Sequence, residues 1–540
     1  MFKKSIILVL VLMMALFTVV GCEEDATEEA EEVTEEERYG GTYYGRLSAD
    51  PPTLDPAQST DTTSAKVLRN LFDRLLDLDD DLEIAPAIAE DWERSDDGLV
   101  ITFNLRDDVY FHNGEHLTAE DVVYTFNRLA DPDTQSPRAS DYDLIEGYEE
   151  VREGEADSLE GVTAVDDYTV ELEFVKPNTS FLYTLTRADA GIVNQTAIEA
   201  ADDTEREPVG TGPFKLENWD SDHQLDLDAF EDYYAGNPYL DDVVLRVIEE
   251  SSSAFAEYEQ GNIYEITEGD IPDGDVQRVL EGPEFEDDKR FNERLGTYYF
   301  GFNTQVEPFD DPLVRRALNH AVDKETIAKV LRDDIVQPAN GIIPEGMIGY
   351  DEDLAGYEYD PERAEELLAE AGYEDGLPDT YELAYNTDEA HQGIAEAVQR
   401  NLENIGVDVE LMNMEWGSYI EKVDDGDTEI FRLGWVDSDP DPDYFVYNTF
   451  HSSNIGGTNS AQYDNPEMDE MLEKGRTMPV GEEREELYRE INEILMDDAP
   501  WIPIYFYRDL TVSKPYVNGL RLSPRGAEPY TDVWINPSER

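Results

Sequence analysis

The sequence predicts a mixed α/β fold. Three observations carry that expectation: apolar residues alternating with period two at several places, capped amphipathic helices between them, and no repeat of 20 to 50 residues of the kind that builds a solenoid or propeller. Forty per cent apolar residues, with 31 Tyr, 20 Phe and 6 Trp, are enough to fill large cores. At about 150 residues per domain, 540 residues make three to four domain-sized units.

Taken in order, the elements begin with an export signal. Lys3 and Lys4 precede a 15-residue apolar run, Ile6 to Val20, and Val19-Val20-Gly21-Cys22 closes it. The run is short for a membrane span. Residues 23–39 are dense in Glu and read as a disordered acidic tether. Strand alternation follows at Ile101, Phe103 and Leu105, at Val170, Leu172 and Phe174, at Leu225 and Leu227, and at Val407, Val409 and Leu411. Thr118, with Asp121 three residues on, marks a capping box before Val122, Phe126 and Leu129. Asp311-Pro312 opens a second helix. Asp360-Pro361 opens a third, which Gly372 is placed to end.

Charge narrows the function. With 39 basic and 128 acidic residues the chain carries −89, which excludes a surface that binds nucleic acid through its phosphates. The acids are spread along the whole chain, so the folded body repels itself. Near 1 M salt the Debye length falls to roughly 3 Å and silences that repulsion, which points to a halophilic source. A single Cys excludes an internal disulfide framework and a multi-Cys metal site.

The search for chemistry returns little. His112-Asn113-Gly114-Glu115-His116 matches HxxEH, but Asn113-Gly114 is a strong turn signal and zinc would need both imidazoles on one helical face, so the string reads as a loop. His223, His320, His391 and His451 are scattered. Asp437, Asp439, Asp441 and Asp443 alternate like a calcium loop, yet Pro442 and Asn448 stand where Gly and Glu belong. Nucleophile-elbow, phosphate-loop and dinucleotide motifs are absent from the sequence. Nothing here gives a reason to expect a cofactor.

Two resemblances supply more. The end of the apolar run, VVGC, resembles a lipobox, in which Cys22 becomes the lipid-modified first residue; the other reading is a chance or buried Cys behind an uncleaved anchor. The remaining chain resembles the family 5 extracellular solute-binding proteins, the oligopeptide and dipeptide receptors of ABC importers. Matching segments in order include PPTLDPAQS (51–59), LRNLFDRLLDLD (68–79), ITFNLRDDVYFHNGEHLTAEDVVYTFNRL (101–129) and GTGPFKLENW (210–219). DDPLVRRALNHAVDK (310–324), YDPERAEELLAEAGY (359–373), GWVDSDPDPD (434–443) and DDAPWIPIYF (497–506) continue the series.

The resemblance implies a two-lobed periplasmic-binding-protein fold with an extra inserted domain, of the type II, cluster C-like kind. On that pattern residues 40–70, 195–296 and 513–540 form lobe I, 71–194 the inserted domain and 297–512 lobe II. The implied function is capture of oligopeptides between closing lobes and their delivery to ABC permease subunits, by a monomeric lipoprotein on the outer face of the membrane. A non-peptide solute (an oligosaccharide, metal chelate or anionic compound) is the alternative within the fold, and a secreted hydrolase the alternative outside it.

By position, Trp435, Trp416 and Arg432 match ligand-contacting residues of the family; lobe core is the competing reading for the two tryptophans. Two positions depart from the pattern. Ser438 stands where the family Asp receives the ligand ammonium, with Asp437 and Asp439 on either side. Arg138 stands where a Tyr touches the ligand, and its planar fork suits a carboxylate or phosphate. The competing reading is a one-residue shift that restores Asp437 or Asp439, with Arg138 a surface residue paired to acids such as Asp141.

Overall fold

The computed structural model describes residues 34–437, 439–527 and 529–536. The apolar run, Cys22, Ser438 and most of the acidic tether lie outside the described residues. A short segment ending at Arg38 forms one unit, with a helix at Glu35–Arg38; the body from Tyr39 onward forms the other. Among the described residues no helix is long and apolar enough to cross a membrane.

Three main sheets organise the body. In the first, Thr42–Leu47 runs parallel to Asp242–Val247, which pairs in antiparallel fashion with Gln224–Ala229, followed by Phe214–Asp220. The chain leaves this sheet after Leu47 and re-enters it at Phe214. Between those points it builds the second sheet, an antiparallel set in the order Ala89–Arg94, Val100–Leu105, Thr169–Glu173, Val162–Asp166. The alternation read from Ile101, Phe103 and Leu105 is the buried face of one of these strands, at 5 % exposure or less.

The helix signals are where the sequence puts them. Asp121 accepts the Thr118 backbone N–H at 3.0 Å ahead of Ala119–Ala130, and Asp311 and Asp360 cap Pro312–Ala321 and Pro361–Glu370. Gly372 takes a positive φ of 96° just beyond the last of these, a conformation open to Gly at little cost. GTGPF has a packing reason too. A Cβ at Gly212 would stand 2.6 Å from the Asn70 carbonyl oxygen, so this segment lies flat on the end of helix Thr62–Leu71.

The third sheet has seven strands. Glu265–Thr267, Trp501–Ser513, Lys289–Phe302, Ile430–Val436, Thr380–Asn386 and Asp408–Met414 follow one another, and Gln337–Pro338 also pairs with Trp501–Ser513. Both faces of Lys289–Phe302 are covered. Tyr298 and Phe300 enter one core, while Tyr299 enters the other and stacks on Trp501 at 3.5 Å between ring centroids. That double burial explains why Gly296 to Phe302 reads as an apolar run without polar alternation. The ladder between the two long strands breaks between Glu293 and Thr297, and this irregularity brings Arg294 to the cleft described next.

Candidate functional site

A cavity of about 660 Å³ opens between the first sheet's helices and the third sheet. Its floor on one side is helix Thr62–Leu71, started by Asp61, whose side chain accepts from the Ser64 N–H at 2.8 Å. Val67, Leu68 and Leu71 are buried beneath it, while Lys66 and Arg69 line the cavity. Lys66 lies 3.6 Å from Glu265. Burial pulls that ammonium's pKa down, but the Glu265 carboxylate, Tyr530 and Asp270 together more than offset it and hold the pKa above the usual value. Arg46 is ion-paired with Asp270 on the same wall.

The opposite wall carries the alternating aspartates. Asp437 is fixed through its backbone, its N–H donating to the Leu295 carbonyl at 2.7 Å, and its Oδ1 accepts the Asp439 N–H at 3.1 Å. Asp439 is engaged by the Arg525 guanidinium at 2.6 Å, and Arg525 also donates to the Thr186 carbonyl. Asp441 and Asp443 turn away from the cavity: the first pairs with Arg484, the second with Arg476 at 3.2 Å and with the Ser180 hydroxyl at 3.1 Å. Burial pushes the Asp443 carboxyl up to about 6, against the pull of Arg476. Among the described residues no cluster of three His, Cys, Asp or Glu side chains could hold a metal ion, and each of these four acids has a separate task.

Arg138 reaches the cavity from the second sheet's side of the body. Its Nε donates to the Ser59 carbonyl at 3.1 Å, and its Nη1 is 3.9 Å from Asp141, an acid that Arg187 holds more closely at 2.9 Å. The structure therefore brings Arg138, Asp437 and Asp439 to one cavity. It sets three others outside that lining. Arg432, 7 % exposed, lies over the Tyr298 ring at 4.3 Å and donates to Asn386 at 3.1 Å. Trp435 packs against the core that holds Tyr299, with its ring 6.2 Å from exposed Tyr444, which does line the cavity. Trp416 starts helix Trp416–Asp424 and is 50 % exposed.

The HxxEH string is a turn. Gly114 has φ +83°, the Phe111 N–H donates to the Glu115 carbonyl, and each imidazole is tied to a different carbonyl: His112 to Gly212 at 3.0 Å, His116 to Asp107 at 2.8 Å. Burial lowers the His112 pKa to about 4, so the ring is neutral. Sequence reasoning missed Arg294 and Asp509, which also line the cavity. The only signal for Arg294 is its place as the last charge before an apolar run.

The family model described as bacterial extracellular solute-binding proteins, family 5, matches residues 83–457. The chain belongs to that family. Among relatives, this family 5 protein is 30% identical over 539 residues to the oligopeptide-binding protein OppA of Bacillus subtilis, covering 96% of this chain and 97% of the relative. It is also 30% identical over 476 residues to heme-binding protein A of Haemophilus influenzae, covering 84% of each. The unliganded open form of the murein tripeptide binding protein MppA superposes with a TM-score of 0.85, at 29% identity over 92% of this chain and 97% of that one. DppA of Helicobacter pylori in complex with the peptide STSA gives 0.68, at 29% identity over 93% and 99%.

Proposed function

We propose that this family 5 protein is an extracytoplasmic receptor that captures oligopeptides in the cleft and passes them to the permease of an ABC importer. The observation that carries the reading is the cavity itself: about 660 Å³, open, walled by two halves of the body and supplied with both carboxylates and guanidinium groups. Relatives support it, among them the dipeptide-binding protein of Escherichia coli and the Helicobacter pylori DppA–STSA complex. Contacts to both walls exist only in the closed state, so a ligand shifts the population towards closure and the permease reads occupancy from shape.

In this reading the peptide ammonium meets Asp437, which lines the cavity and is fixed there through its backbone N–H on the Leu295 carbonyl. Residues 40–70, 195–296 and 513–540 act as one lobe, 297–512 as the other, and 71–194 as the inserted domain. Cys22 anchors a monomer to the membrane through lipid, and the acidic surface is tuned to high salt. Native mass spectrometry of freshly purified protein tests the ligand: co-purifying peptides support capture, and a single non-peptide mass replaces it with the second reading. That second reading, a non-peptide solute, is favoured by the likeness to heme-binding protein A and by Ser438 at the ammonium position. Labelled-fatty-acid incorporation that persists in Cys22→Ala rejects the anchor. A melting temperature unchanged between low and molar salt rejects the halophilic surface.

A further inference from the structure

The wall of the cleft is balanced in a chain that is not: seven basic and seven acidic side chains line it, against 39 and 128 overall. Most of the cations already serve an acid. Arg46 has Asp270, Lys66 has Glu265, Arg187 has Asp189 and Arg525 has Asp439. Arg294 differs. It is exposed, no carboxylate of the described residues comes within 4.0 Å of its guanidinium, and its described neighbour is the Tyr507 ring at 5.9 Å. In a protein with more than three acids for every base, an arginine that faces a cavity without closing an ion pair calls for a reason.

Its position is built. The ladder with Trp501–Ser513 loses register between Glu293 and Thr297, and such a bulge takes a side chain out of the pairing pattern and re-aims it. The next residue, Leu295, accepts the Asp437 N–H at 2.7 Å, and Gly296 pairs with Val436. Arg294 is therefore one residue from the backbone contact that sets Asp437. Asp509 shares the same stretch of wall. Burial raises its carboxyl above the usual range while the Arg294 charge pulls it down, yet the two do not close into an ion pair.

We propose that Arg294 is a specificity-determining residue that receives a ligand carboxylate, selecting peptides with an Asp or Glu side chain close to their free amino terminus. The proposal rests on the peptide reading above. The physical need is clear. A chain of charge −89 repels anionic ligands wherever salt does not screen it, so at low ionic strength an acidic peptide is retained by a local cation not already neutralised. A guanidinium fork matches a carboxylate with two parallel hydrogen bonds. Arg138, on the facing wall with Asp141 at 3.9 Å, stands ready to add a donor to the same carboxylate as the cleft shuts.

The test is calorimetric titration of the mature protein and of Arg294→Gln and Arg294→Lys with Ala-Ala-Ala, Glu-Ala-Ala and Ala-Glu-Ala. At least one acidic peptide binds the wild type about tenfold more tightly than Ala-Ala-Ala; Arg294→Gln erases that preference while holding Ala-Ala-Ala within about twofold, and Arg294→Lys keeps part of it. Equal affinities in the wild type, or an equal loss for all three peptides in Arg294→Gln, overturns the proposal and leaves peptide capture standing. Failure of every peptide to bind removes both together. Arg294 is exposed, so melting curves of the variants are expected to overlay the wild type.

Discussion

Both Nη groups of Arg484 donate to the Asp441 carboxylate, at 2.6 and 2.9 Å, with the two side chains no more than 2 % exposed. A buried pair of this kind stands or falls as a unit, because either partner left alone is a desolvated charge. Asp441→Asn or Arg484→Met is expected to lower unfolding free energy by about 3–5 kcal/mol, whereas a combined Asp441→Leu, Arg484→Met protein recovers most of the loss. Denaturant titrations of the three variants check this; additive losses in the double variant would contradict it.

Gly212 is expected to tolerate no side chain. A methyl group there meets the Asn70 carbonyl oxygen at 2.6 Å, and the Gly212 N–H donates to the Leu71 carbonyl at 3.0 Å, so the backbone cannot simply retreat. Gly212→Ala should cost about 1–3 kcal/mol in a melt or denaturant series. An alanine variant of wild-type stability would mean that the segment is free to shift.

Lys324 is fully buried at the start of helix Lys324–Leu331, with its ammonium 3.4 Å from the Ala339 carbonyl. Burial alone lowers its pKa from 10.5 to about 7. Between those values the unfolded chain holds a proton that the folded protein does not, so this residue's penalty is full below the folded pKa and fades as pH rises towards 10.5. Lys324→Met is expected to stabilise by about 1–3 kcal/mol at about pH 6 and by less at about pH 9. Paired denaturation curves at the two pH values decide it, since a gain independent of pH points to packing instead.

The two candidate ammonium receptors should separate cleanly. Asp437→Asn is expected to weaken tripeptide binding by about tenfold or more, an effect read in dissociation rate as well as affinity. Asp439→Asn releases Arg525 and mainly affects stability. Stopped-flow and calorimetric measurement of both proteins provides the check, and the reverse ranking would move the amine site to Asp439.

These cases show what the sequence made legible. Helix starts at Thr118, Asp311 and Asp360 are written within four residues, because a cap is a local hydrogen bond. Strands one face of which meets water alternate, so Ile101 to Leu105 and Leu225 to Leu227 are readable. The long strands Lys289–Phe302 and Trp501–Ser513 are not, since burial on both sides removes the alternation. The site is less legible still. Arg294 owes its aim to a bulge that exists only against the distant partner strand Trp501–Ser513, and Asp439 is claimed by Arg525, 86 residues along the chain. Arg432 matched a ligand residue by position, but ring neighbours from two other strands, at Tyr298 and at Tyr505 and Tyr507, decide where its charge rests.

The excursion of the chain between Leu47 and Phe214 has a kinetic consequence. Thr42 finds its partner at Asp242, and the core around Tyr43 also needs Tyr530, far along the chain. Pairings so distant in sequence close slowly, because a long loop must be ordered before any contact repays it. The second sheet, drawn from one continuous stretch, can mature early and alone. The sheet that owns Thr42–Leu47 must wait for Tyr530 to join its core, which leaves its edges unmatched longest and makes it the place where misfolding would begin.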